Sequence, residues 1–222
     1  ATKPCLDYEL VKELDAAIAA DRDALGKKPF EKKDDDEPPT TQIQQSKNDP
    51  ESGQLHKEGK PDGFHYSEHR TVDSKNNIVV NVRITPANDV DPVTDILDDI
   101  EKRLGHLPSY MGVDAGYHNA PTCHQIASRG IQPVVGYRRH THKGEHWGKY
   151  HFVYQKDKNV YLCPQKHELT WKTTNRAGYR EYWSDSKVCS NCPCREKCLS
   201  SSKTRRLVTR HVWQDDLEQA DT

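Results

Sequence analysis

Between Ile78 and Leu104 the apolar residues change their spacing, and this change limits the fold more than any other feature of the chain. Ile78, Val80, Val82 and Ile84 alternate with Val79, Asn81, Arg83 and Thr85. A period of two with a β-branched face specifies a strand. Asn76-Asn77 supplies a turn just before it, and residues 64–72 read as its strand-like partner. Val93, Ile96, Leu97, Ile100 and Leu104 then recur at helical spacing. Asp91 is placed to cap that helix, Pro92 to occupy its first position and Gly105 to stop it. A short apolar strand, Tyr110-Met111-Gly112-Val113, leads into Asp114-Ala115-Gly116-Tyr117. A second helix is expected over 120–128 and another strand over 131–135. Strand, strand, helix, strand ending in Asp, helix, strand implies a mixed α/β sheet.

Upstream, Leu10, Leu14, Ala17 and Ile18 give one apolar stripe to a helix from Tyr8 to about Leu25, ended by Gly26 and Pro29. Residues 31–63 hold almost nothing that could enter a core and read as a loop or disordered linker. From Gly136 the texture becomes basic and rich in histidine, tyrosine and tryptophan. Strands are expected at 151–155, 159–163, 167–172, 179–183 and 207–213. The chain therefore divides into a helical segment (1–30), a linker (31–63), a mixed α/β portion (64–136) and a basic β-rich portion with a cysteine cluster (137–222). No internal repeat is present.

Of the 222 residues, 33% are apolar and 30% charged, and the mean hydropathy is -1.01. A modest core is possible, with some stretches left solvated. No run approaches the ~18 apolar residues that a membrane span requires, and no signal peptide opens the chain. A soluble protein of a reducing, cytoplasmic compartment is expected. The first residue is Ala1 and the only methionine is Met111, so the chain is expected to be cut from something longer. The net charge of -1 hides an asymmetry. Residues 1–117 carry 15 Lys and Arg against 24 Asp and Glu, and residues 118–222 carry 18 against 10, with eight of the twelve histidines. A basic half of this kind suits a polyanionic partner, or is simply a balanced surface.

Three constellations could carry chemistry. Asp114 closes an apolar strand and is followed by Ala-Gly. A carboxylate at a strand end can face a cleft and share divalent metal, although an Asp before a Gly is also an ordinary turn residue. Cys189, Cys192, Cys194 and Cys198 fall within ten residues, with Cys163-Pro164 upstream as a fourth or fifth ligand. Four thiolates suit tetrahedral zinc, and a two-residue gap brings both sulfurs of one turn to the metal; plain reduced thiols are the alternative. Basic groups interleaved with aromatics form the third set: Arg138, Arg139, Lys172, Arg176, Arg180, Arg205, Arg206 and Arg210. They could pair with phosphates and stack on bases, or form a solvated face. There is no phosphate-cradling glycine loop and no GxSxG elbow, and Cys123 beside His124 reads as a core cysteine.

An ordered series of blocks resembles the DDE transposases of bacterial insertion sequences, in particular the family numbered eleven eighty-two. The blocks are Asn48-Asp49-Pro50-Glu51-Ser52-Gly53, Phe64-His65-Tyr66-Ser67, Ile84-Thr85-Pro86-Ala87-Asn88-Asp89 and Val113-Asp114-Ala115-Gly116-Tyr117, then Thr173 to Tyr182, the Cys189-x-x-Cys192-Pro193 knuckle and Thr209-Arg210-His211-Val212-Trp213. The resemblance spans nearly all of residues 48–213. It implies an incomplete ribonuclease-H-like mixed sheet with a β-rich, cysteine-containing insertion. It further implies two aspartates and a glutamate that hold two magnesium ions for phosphodiester cleavage and strand transfer, with Asp114 as the second aspartate. The first aspartate is then expected before Ala1 and the glutamate beyond Thr222, so that the chain is an inactive piece of the enzyme. Asp73 and Asp49 are poor substitutes. Because Cys194 falls where the family carries an apolar residue, the implied zinc set is Cys163, Cys189, Cys192 and Cys198. The implied partners are transposon-end and target DNA, with a homo-oligomer in the complete enzyme and no membrane. A non-catalytic DNA-binding remnant or inhibitor with a zinc knuckle is the alternative.

Overall fold

A computed structural model describes residues 2–4, 8–31, 40–56, 59, 61–87, 92–136 and 144–220. In chain order the elements begin with β1 (Thr2–Pro4), α1 (Tyr8–Ala24), β2 (Thr40–Gln42), β3 (Gly53–Leu55), β4 (Gly63–Asp73), β5 (Ile78–Pro86), α2 (Val93–Leu104), β6 (Tyr110–Val113), α3 (Ala120–Ala127) and β7 (Gln132–Val135). They continue with β8 (Val153–Gln155), β9 (Val160–Leu162), β10 (Glu168–Thr174), β11 (Tyr179–Ser184), α4 (Ser186–Ser190), α5 (Arg195–Cys198), β12 (Leu207–His211) and α6 (Gln214–Ala220). The chain is a mixed α/β protein, and it separates into two compact units. One unit comprises Ala1–Val11, Asp34–Tyr137 and Asp215–Thr222; the other comprises Lys12–Lys33 and Arg138–Gln214. None of the helices among the described residues is long and apolar enough to cross a membrane.

In the first unit, β3, β4 and β5 form an antiparallel sheet in that order, and β1 pairs with β2. Thus β2 and β3 lie within residues 31–63, which read as a linker from composition. The alternation of residues 78–85 does make a strand, but its β-branched face stays open. Ile78, Val82 and Ile84 are 58%, 51% and 55% exposed, whereas Asn81 and Thr85 are buried. The buried face meets α2 through polar groups: Asn81 donates to Asp99 and Arg83 pairs with Asp95 at 2.6 Å. The apolar stripe of α2 turns to a separate core of Val93, Leu97, Ile126 and Ile131. Helix α2 begins at Val93, one residue after Pro92, and ends at Gly105, whose φ of 74° lets its N–H reach Glu101 O. The expected cap, Asp91, lies outside the described residues.

Strands β6 and β7 pair in parallel, in register from Tyr110↔Gln132 to Val113↔Val135. The short helix α3 forms the crossover between them, opened by Asn119, whose side chain accepts from Thr122 N. Cys123 is fully buried here, in a small core with Val135 and Ala220 of α6. Helix α6 was not foreseen in the sequence. Asp216 on it shares a 2.7 Å hydrogen bond with His124 on α3.

The second unit is a five-stranded antiparallel meander in the order β12-β11-β10-β9-β8. Its core is Phe152, Tyr161, Leu169, Tyr182, Cys198, Leu199 and Val208. The four sequence-expected strands between 151 and 183 appear with ends shifted by one or two residues, and the strand expected over 207–213 ends at His211. From Lys12 onward, α1 belongs to this unit. Its Asp21 accepts two hydrogen bonds from Arg180, at 2.6 and 2.8 Å, and one from Thr174 at 3.0 Å. Gly178 turns β10 into β11 at φ 77°, and a Cβ there would stand 2.6 Å from Leu14 Cδ1. Only glycine meets both demands.

Candidate functional site

Asp114 stands at the carboxyl end of β6, beside the carboxyl end of its parallel neighbour β7. In open α/β sheets this is the edge where ligand crevices form. Asp114 is exposed and adopts an extended conformation that caps a single 3-10 turn over Ala115–Tyr117. Gly116 N–H donates to its Oδ1, and a Cβ on Gly116 would approach that oxygen to 2.9 Å. On the adjoining strand, Gly136 N–H donates to Val113 O at 3.0 Å. The turn-residue and site-residue readings of Asp114 therefore coexist, because the cap uses one carboxylate oxygen of a group with several acceptor positions.

Tyr117, three residues on, hydrogen-bonds His69 Nδ1 of β4, and the opposite ring nitrogen of His69 shares a 3.0 Å bond with Thr85 of β5. This link joins the β4–β5 ribbon to the turn at Asp114. No spacing in the sequence announced it, since its partners lie 48 residues apart.

The other acidic groups weighed from sequence are engaged elsewhere. Asp73 accepts from Asn76 Nδ2 at 2.6 Å and Lys75 N at 3.1 Å, and the Asn76 bond first, then the Lys75 bond, holds its carboxyl below the usual range. Asp49 accepts from the Tyr66 hydroxyl at 2.9 and 3.0 Å, which raises the Tyr66 pKa. Among the described residues, no three His, Cys, Asp or Glu side chains stand together as a ready metal cluster. Among the described residues, Asp114 therefore has no assembled carboxylate partners with which to hold two magnesium ions.

The cysteine group behaves differently. Cys163, Cys189, Cys192 and Cys198 line one cavity of about 130 Å³, together with Trp147, Phe152, Leu169 and Arg206. Cys194 does not line it; its sulfur accepts from Gln165 Nε2 at 3.3 Å. All four cavity cysteines are free thiols. Burial pushes the Cys198 thiol up, the Arg206 guanidinium pulls it down, and Cys189, Cys163 and Cys192 raise it further.

The arginines singled out for DNA divide. Arg180 is committed to Asp21. Arg206 donates to Trp147 O at 2.7 Å and Cys198 O at 3.0 Å. Arg176 and Arg205 are exposed, with guanidinium carbons 4.5 Å from the Phe30 ring centroid and 4.2 Å from that of Trp183. Arg138 and Arg139 lie outside the described residues.

Residues 162–222 match a family model described as a transposase DDE domain. This match supports a DDE-type transposase, with DNA as the general class of substrate. The matched stretch runs from the end of β9 through the cysteine group and β12 to α6 and the chain end. No curated protein and no solved structure matches the chain.

Proposed function

We propose that this chain is part of an insertion-sequence transposase that cuts and joins DNA by metal-dependent phosphodiester chemistry. The observation that carries the reading is the match of residues 162–222 to the transposase DDE domain. An exposed carboxylate at the carboxyl end of a parallel strand, behind an antiparallel ribbon and a helix, is the kind of placement such chemistry requires. In this reading the family is that numbered eleven eighty-two and the α/β portion of the first unit is ribonuclease-H-like. The substrates are transposon-end and target DNA, handled by a homo-oligomer in the cytoplasm.

Asp114 is the carboxylate that these residues contribute. Hard divalent cations are held in proportion to the number and charge of their oxygen ligands, so the two remaining carboxylates come from outside the described residues. Arg176 and Arg205 take the DNA contacts, as exposed cations beside aromatic rings that can also stack on bases. Arg138 and Arg139 share that role, while Arg180 and Arg206 serve the fold.

The test is Asp114→Ala in the complete transposase. Loss of one metal-binding carboxylate removes several kcal/mol of transition-state stabilisation, so cleavage should fall on the order of a thousandfold. Binding of transposon-end DNA, measured by gel shift, should stay within about twofold, because metal-ligand carboxylates contribute nothing to phosphate pairing. Cleavage at the parental rate would remove Asp114 from the catalytic site.

A further inference from the structure

We propose that His69 is a positioning residue for Asp114: through Tyr117 it fixes the turn that carries the carboxylate against the β4–β5 ribbon. The inference rests on the reading of Asp114 as a site carboxylate, and its test separates the two.

The need for such a brace comes from the strand. β6 is four residues long and, among the described residues, pairs with β7 alone. Asp114 follows its last residue and is exposed. The bonds that hold Asp114 are local: Gly116 N–H donates to its Oδ1, and Tyr117 N–H donates to its backbone O at 3.0 Å. These bonds set the carboxylate within its turn. They do not set the turn relative to the ribbon.

Tyr117 supplies that outer reference. Its ring packs against the core of Val93, Leu97, Ile126 and Ile131, while its hydroxyl reaches His69 Nδ1. The two rings meet edge-on, with centroids 6.1 Å apart and planes at 69°. His69 on β4 stands opposite Arg83 of β5. Thr85 lies two residues along β5 from that partner and so shares the face of His69. Its Oγ1 is 3.0 Å from His69 Nε2, and Thr85 is buried. The imidazole is thus held at both nitrogens, one by the ribbon and one by the Asp114 turn.

The proton directions follow from the donors. Thr85 donates its single hydroxyl hydrogen to Pro86 O at 3.3 Å, which leaves its oxygen to accept from Nε2–H. A neutral imidazole then offers Nδ1 as its acceptor, and the Tyr117 O–H donates to it. The chain runs one way, from Tyr117 through His69 to Thr85 and Pro86 O. Packing alone would be served by any side chain of similar size at position 69; the directed chain requires an acceptor where Nδ1 stands.

The test compares Tyr117→Phe, His69→Leu and His69→Asn in the complete transposase. Tyr117→Phe keeps the ring and drops the hydroxyl. It and His69→Leu should lower kcat for DNA cleavage about 10- to 100-fold, the effect of a reacting group displaced by roughly 1 Å. KM for transposon-end DNA should stay within about twofold, since the loss falls on the reacting geometry and not on binding. His69→Asn, whose Oδ1 takes the place of Nδ1, should recover most of the rate. In the 222-residue chain, the Gly116 amide proton should shift in the NMR spectrum and exchange faster in Tyr117→Phe, and return towards the parental value in His69→Asn. Tyr117→Phe removes a single oxygen atom, so it decides the matter should His69→Leu fail to fold. A parental rate in Tyr117→Phe, or His69→Asn as slow as His69→Leu, would overturn the brace while Asp114→Ala still abolishes cleavage. If Asp114→Ala itself cleaves at the parental rate, the site reading fails, and the Gly116 amide then judges the brace alone: a signal unmoved by Tyr117→Phe overturns it.

Discussion

The β4–β5 ribbon and the β8–β12 meander are both written in period-two sequence, yet they bury opposite kinds of residue. In the meander, Leu169 and Tyr182 are fully buried in an aromatic-rich core. In the ribbon, Asn81 and Thr85 are buried while Val82 and Ile84 on the other face are more than half exposed. Alternation fixes which residues share a face, because side chains on a strand point to opposite sides in turn. It does not fix which face the rest of the molecule covers. In the meander unit the covering groups, Phe152 and Leu199, come from the same unit. In the ribbon, polar groups of α2 claim one face, and among the described residues nothing apolar is built on the other.

The sharpest way to break this contrast is a pair of substitutions. Leu169→Ala removes a fully buried side chain and should cost about 3 kcal/mol. Ile84→Thr, on the open face of β5, should change stability by less than about 0.5 kcal/mol. Hydrogen exchange read segment by segment separates the units: Leu169→Ala should speed exchange in β9–β11 and leave β4–β5 unchanged. If Ile84→Thr proves as costly as Leu169→Ala, the ribbon's open face is covered in solution and the comparison fails.

A smaller effect is expected at the polar side of the meander unit. Asp21 and Arg180 retain 11% and 24% side-chain exposure and are held at 2.6 Å. Asp21→Asn keeps the shape but leaves the guanidinium half-buried without its counter-charge, which should cost about 2 kcal/mol after allowance for partial solvent access. Adding Arg180→Met should recover most of that loss, since an apolar group of similar volume removes the stranded charge. Chemical denaturation of the single and double variants checks both statements. A loss that persists in the double variant would mean that Thr174, whose hydroxyl also donates to Asp21, matters more than the ion pair.

Much of this architecture was legible beforehand, and the reasons are local. The α2 stripe, the Gly105 stop, the Val113-Asp114 strand end and four of the meander strands follow from spacing and turn chemistry within a dozen residues. What stayed hidden depends on distant partners. Asp21 meeting Arg180 spans 159 positions and His124 meeting Asp216 spans 92, so Arg180 read as a DNA contact and α6 was not anticipated, although Asp215 and Asp216 sit well in a helix's first turn. The cysteine cavity was half legible. The C-x-x-C spacing marked the group and the family resemblance had already set Cys194 aside; that the other four line one cavity is what the fold adds.

The smallest effect lies at the turn that ends β4. Asp73 is partly exposed, yet its bonds to Asn76 and then Lys75 hold its pKa below the ordinary 3.8. A carboxyl whose folded pKa is depressed adds stability that is complete above the unfolded value and is lost as pH falls through the folded one. Asp73→Asn should therefore be slightly less stable than the parent at neutral pH, and the two should converge in acid, below the folded pKa. A carboxyl-resolved NMR titration gives that folded value directly, and thermal melts across the acid range follow the convergence. The effect belongs to the four-residue turn over 74–77, so exchange in the meander strands should not respond. If the gap between parent and variant instead widens in acid, the turn's hydrogen bonds favour the protonated group and the assignment of Asp73 as a turn anchor is wrong.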